Sequence, residues 1–88
     1  MKGNESSMKY LFEPRGIAVI GASQTPGKIG YKVVENIVVG GFKGRIYPIN
    51  PRGGEVLGLH VYKRMEDIDG PVDVAVVVVP AEMAFTAI

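Results

Sequence analysis

The sequence predicts an α/β fold, the first half of a doubly wound parallel sheet flanked by helices. Three observations lead there: apolar runs of strand length without polar alternation, a glycine-rich segment following the first of them, and an amphipathic helical stretch directly after that segment. Uninterrupted apolar strands belong to parallel sheets covered on both faces.

Ile17-Ala18-Val19-Ile20 is the first strand. Before it, Tyr10-Leu11-Phe12 can pack until Pro14 stops any helix, so residues 1–10 are expected to be flexible and the domain to occupy residues 11–88. From Ile29 to Val39, Val33, Val34, Ile37 and Val38 recur at helical spacing between Lys32, Glu35 and Asn36, and Gly40-Gly41 supplies a stop. The valines lower helix propensity, so packing on the sheet has to hold this helix.

Arg45-Ile46-Tyr47-Pro48-Ile49 is the second strand, closed by Asn50-Pro51. Pro48 lacks the donor a central strand needs, which places it where the ladder is finishing. Arg52-Gly53-Gly54 is a turn, and residues 55–62 read as a loop with short extended pieces. Residues 63–69 have room for one helical turn. The β-branched run over residues 72–80 is expected in the middle of a buried sheet, and residues 81–88 begin another helix. This order predicts a spatial order of 3-2-1, which leaves an open edge on strand 1. Such an edge invites association, so the chain is expected to be a fragment of a longer protein or to form a homodimer through that edge.

Composition narrows the function. The 88 residues are 47% apolar with no cysteine, which points to one modest core in a reducing compartment. The longest apolar run is far too short to span a bilayer and the N-terminus lacks a signal-peptide core, so a soluble, cytoplasmic protein without a membrane partner is expected. Residues 28–64 hold seven Lys or Arg against Glu35 and Glu55, giving +5 where the rest of the chain is −4. This is either a surface that attracts a polyanion or a set of scattered solvated cations. No aromatic residues interleave the basic ones in a nucleic-acid-binding module, and no nucleic acid partner is expected.

The segment Gly21-Ala22-Ser23-Gln24-Thr25-Pro26-Gly27-Lys28-Ile29-Gly30 sits between strand and helix, where glycines allow close approach and helix amides favour an anion. A G-x-G-x-x-G fingerprint from Gly21 would need glycine where Ser23 and Pro26 stand, and Asn50-Pro51 replaces the ribose-binding acid of NAD proteins. The pattern G-x-x-x-x-G-K-[ST] fails too, since five residues separate Gly21 from Gly27 and Ile29 replaces the hydroxyl. What remains is a serine, a lysine and three glycines, with the cation Arg52 after strand 2. A cation near the ribose suits a ribose phosphate.

Leu11-Phe12-Glu13-Pro14-Arg15, Ile17-Ala18-Val19-Ile20-Gly21-Ala22-Ser23, Pro26-Gly27-Lys28-Ile29-Gly30, Ile49-Asn50-Pro51 and Val78-Val79-Pro80-Ala81 together resemble the N-terminal CoA-binding domain of NDP-forming acyl-CoA synthetases. That family includes acetate–CoA ligase (ADP-forming) and the succinyl-CoA ligase alpha subunit. The resemblance implies a Rossmann-like domain whose ligand is coenzyme A or acyl-CoA. It implies that Ser23 and the amides of Gly21, Ala22, Ser23 and Gln24 contact the CoA phosphates beside Lys28 and Gly30. By the same resemblance, Asn50, Pro51 and Arg52 flank the adenosine end, and Val78, Val79 and Pro80 back the cofactor. Arg52 departs from the lysine common in relatives but keeps the charge.

In that family the phosphorylated histidine and the nucleotide-handling domains lie downstream, so further ligase domains or a second subunit are implied partners. His60, the one histidine, has no acidic partner set by spacing and reads as a surface residue; Glu66, Asp67 and Asp69 read as a solvated cluster, not a metal site. Three functions are open: the CoA-binding module of an ADP-forming acyl-CoA synthetase, not catalytic by itself; a stand-alone CoA-binding or CoA-sensing protein; and a dinucleotide-binding redox sensor.

Overall fold

The computed structural model describes residues 13–79. The expectations of flexibility over residues 1–10, of packing by Tyr10-Leu11-Phe12, of a role for Pro80 and of a helix over residues 81–88 fall outside that range. Strand β1 (Gly16–Ile20) leads through the glycine-rich loop into helix α1 (Ile29–Val39), which returns the chain to β2 (Arg45–Ile49). A two-residue antiparallel hairpin, β3 (Glu55–Val56) with β4 (Leu59–His60), a 3₁₀ turn (Met65–Asp67) and β5 (Val74–Val77) follow. The sheet is parallel, β1 pairing β2 from Gly16↔Arg45 to Ile20↔Ile49 and β5 from Ile17↔Val74 to Ile20↔Val77.

The sheet order is β2-β1-β5, not 3-2-1. The first strand is the centre, and the third long strand lies beside it rather than beside β2. The reason lies at the outer edge of β2. The Tyr62 amide donates to the Pro48 carbonyl and the Asn50 amide to the Tyr62 carbonyl, each at 2.8 Å, so a parallel bridge at Tyr62 fills the position next to β2. Carbonyl and amide of one strand residue point to the same side, so Pro48 turns its missing donor to that edge and leaves the β1 ladder whole. Pro48 therefore sits inside the strand, fully buried, instead of at its end. With both sides of β1 paired, strand 1 has no open edge, and the basis for a homodimer through that edge falls away. β5 is likewise not central: among the described residues it pairs on one side only, and Val77 is 61% exposed.

Side chains alternate across the sheet as its pleat requires. Val19, Ala22, Val34, Val56 and Val61 form the core under α1, with Ile17, Tyr31, Val33, Ile37 and Ile46 packed around them. Ala18, Tyr47 and Ile49 form a smaller core on the opposite face, joined by Ile20, Tyr62, Ile68 and Val72. Val38, expected on the buried helix face, is 41% exposed. The helix closes as the Gly40-Gly41 pair predicts: the Gly41 amide bonds Val38 O and the Phe42 amide bonds Ile37 O, a Schellman arrangement that satisfies terminal carbonyls.

The amino end of the sheet is stapled by charge. The Arg15 guanidinium grips Asp73 through Nε to Oδ2 at 3.0 Å and Nη2 to Oδ1 at 2.9 Å, and the Arg15 amide adds a third bond to Oδ2 at 2.7 Å. These bonds hold the Asp73 carboxyl below the usual carboxylate range. Among the described residues, no helix is long and apolar enough to cross a membrane.

Candidate functional site

The corrected strand order decides where the site lies. The chain leaves β1 through a helix towards β2, while β5 pairs with β1 on the other side, so the carboxyl end of β1 is the point at which the winding reverses. Open α/β sheets bind ligands in the crevice there. Two clefts meet at this point. One, of about 410 Å³, is lined by Gly21, Ser23, Gly27, Lys28, Ile29, Gly30 and Val78. The other, of about 350 Å³, is lined by Ala22, Ser23, Gln24, Thr25, Asn50, Arg52 and Val61. Ser23 belongs to both.

Two glycines make this loop possible. Gly21 turns the chain with φ +93°, and a Cβ there would stand 2.7 Å from the Val78 carbonyl oxygen. At Gly30 a Cβ would meet Gly21 O at 2.1 Å and Ser23 N at 3.0 Å, so α1 begins directly against the loop. Both positions need the bare backbone.

The donors available to an anion differ from those expected. The amides of Gly21 and Ala22 both donate to Ile49 O, at 3.1 and 3.2 Å. They join the loop to the end of β2 and are not free to meet a phosphate. The amides of Ser23 and Gln24 have no such partner among the described residues, and neither have those of Ile29 and Gly30 at the start of α1. The helix start has Lys28 at its cap, no capping side chain and no acidic residue in its first turn. An incoming anion would meet amides and a lysine with no resident carboxylate to compete. The Ser23 hydroxyl accepts the Thr25 amide at 3.1 Å, which leaves its proton for a ligand oxygen.

Asn50 is a strut. Its Nδ2 donates to Ala22 O at 2.7 Å and its Oδ1 accepts the Arg52 amide at 2.9 Å, fixing the loop and the β2 turn to each other. Gln24 crosses the same gap and donates from Nε2 to Gly53 O. Of the expected residues, Gly21, Ser23, Lys28, Gly30 and Val78 meet in the first cleft, and Ala22, Ser23, Gln24, Asn50 and Arg52 in the second. Pro51 and Val79 are exposed and line neither. The motifs did not single out Thr25 or Val61. Thr25 lies in the same loop, whereas nothing in the pattern around Val61 marks it. His60 lies away from both clefts, exposed and edge-on to Tyr62 with ring centres 4.7 Å apart.

A family model described as a CoA binding domain matches residues 15–88. The chain belongs to the CoA-binding domain family. It is 44% identical over 80 residues to the ADP-forming acetate–CoA ligase of Methanocaldococcus jannaschii, covering 91% of this chain and 11% of that protein. Among solved structures, the dinucleotide-forming acetyl-coenzyme A synthetase 1 of Ca. Korarchaeum cryptofilum, in complex with phosphate and ADP, superposes with a TM-score of 0.77 at 44% identity, covering 90% of this chain and 17% of that one. A conserved hypothetical protein from Pyrococcus furiosus does so with a TM-score of 0.66 at 35% identity, covering 82% of this chain and 60% of that one. This CoA-binding domain thus spans a small part of the ligases it matches.

Proposed function

We propose that the chain binds CoA in the two clefts at the end of β1, as the CoA-binding module of an ADP-forming acyl-CoA synthetase. The observation that carries this reading is the set of unspent amides at Ser23, Gln24, Ile29 and Gly30, grouped around the Ser23 hydroxyl and Lys28. That donor set fits a pyrophosphate, and Arg52 in the adjoining cleft fits a phosphate on the ribose. The residues bind and orient; bond making belongs to other domains of the ligase. Bound acyl-CoA would be handed to those domains for conversion, with ADP and phosphate, into acid, CoA and ATP.

Calorimetric titration of the chain with CoA, 3′-dephospho-CoA and NADH tests the reading. CoA should bind, dephospho-CoA more weakly, and NADH not at all. Ser23→Ala should weaken CoA about tenfold, the usual worth of a hydrogen bond to a charged group. A folded chain that ignores CoA refutes the proposal, and equal affinity for both CoA forms removes the role of Arg52.

A stand-alone CoA sensor is the second reading, favoured by the likeness to a hypothetical protein of which this chain covers 60%. It uses the same site, and an open reading frame without ligase domains after Ile88 would select it.

A further inference from the structure

Lys63 stands outside every motif, yet the fold carries it to the turn that holds Arg52. The bridge between Tyr62 and the end of β2 makes the edge segment run parallel to β2, so residue 63 emerges at the carboxyl end of the sheet, beside the turn that follows Asn50. Its stem lies over that turn: Cε, Cγ and Cδ of Lys63 are 3.1, 3.4 and 3.8 Å from where a Cβ of Gly53 would stand. Gly53 is the residue next to Arg52. It is held at both ends, its amide bonding Asn50 O at 2.9 Å and its carbonyl accepting Gln24 Nε2.

Two cations therefore flank one short, pinned turn at the rim of the polar cleft. Neither has a carboxylate at ion-pair distance among the described residues, where the one such pair is Arg15 with Asp73 at the far end of the sheet. An anion bound at that turn would meet positive charge from both of its sides.

We propose that Lys63 is the second cation of the ribose-phosphate position, acting with Arg52 to select CoA over its dephosphorylated form. This assignment rests on the CoA reading. The planar guanidinium of Arg52 offers paired donors, and the Lys63 ammonium adds a point charge on a stem that the Gly53 backbone already supports. A bulkier residue at 53 would displace that stem.

The test is Lys63→Met, which keeps the apolar stem and removes the charge. Calorimetric titrations of wild type and variant with CoA and 3′-dephospho-CoA, at low and moderate salt, give four affinities at each condition. The expected result is a loss of about fivefold for CoA, no change for dephospho-CoA, and a shallower salt dependence for CoA. A variant that matches wild type towards CoA, or that loses affinity for both forms alike, overturns the assignment while leaving CoA binding intact. A folded wild-type chain that binds neither form overturns the CoA reading and the assignment together.

Discussion

Gly30→Ala separates the two contributions of the loop, stability and donor placement. The added Cβ would lie 2.1 Å from Gly21 O, 3.0 Å from Ser23 N and 3.1 Å from the Ala22 carbonyl carbon. All three are backbone atoms, so no rotamer change relieves the contact. Non-bonded carbon and oxygen stay about 3.3 Å apart even in their closest favourable contacts, so α1 and the loop have to separate by about 1 Å. Overpacking of this kind costs about 1–3 kcal/mol, against the roughly 1 kcal/mol that alanine gains over glycine as a helix former. The expected net loss is up to about 2 kcal/mol. Urea unfolding followed by far-ultraviolet circular dichroism reads it as a midpoint lowered by up to about 2 M, for a slope near 1 kcal/mol/M. CoA affinity should fall further than stability predicts, because the same shift moves the Ser23 and Gly30 amides out of register with each other. A variant with wild-type midpoint and wild-type CoA affinity would refute the packing argument, and one destabilised but binding normally would refute the role of these amides.

Asn50→Ala removes both bonds of the strut, to Ala22 O and from the Arg52 amide, and should cost about 2 kcal/mol with a parallel loss of CoA affinity; Asn50→Asp, which keeps the acceptor, should retain the turn but release the loop. The Tyr47 hydroxyl is buried with no hydrogen-bond partner among the described residues, so Tyr47→Phe should leave the urea midpoint unchanged or raise it, and a clear drop would contradict its isolation. Asp73 titrates below its ordinary value because Arg15 bonds the carboxylate, so its contribution is complete above the unfolded carboxylate range and fades as pH falls through the lowered folded value. Asp73→Asn should therefore lower the midpoint at neutral pH, with the gap to wild type closing below about pH 4; a gap that stays constant to pH 2 would refute the pairing.

Local pattern carried the elements but not their neighbours. The apolar run at Ile17, the helical spacing to Val39 and the glycine stop are short-range signals, and the observed bounds of α1 agree with them. Pairing partners are chosen over long separations. Residues 72–80 are β-branched enough for a central strand, yet Tyr62 and the buried Pro48 close the β2 edge and send β5 to the other side of β1. The loop was legible as a candidate anion site from its glycines, Ser23 and Lys28. That Ile49 consumes the Gly21 and Ala22 amides was not, because a backbone acceptor contributed by another strand leaves no trace in the loop's own sequence. Lys63 was hidden for a similar reason: it reaches the turn at Gly53 through a two-residue hairpin and a single bridge.

Ser23 is the wall between two clefts, and a molecule occupying both is in effect two fragments joined by a linker. Once one fragment is seated, the other searches a small volume instead of the bulk solution, and its local concentration rises to the millimolar range or above. Each half can then bind weakly by itself while the whole binds well. Cutting the ligand at its middle should cost this chain far more than any single side-chain deletion.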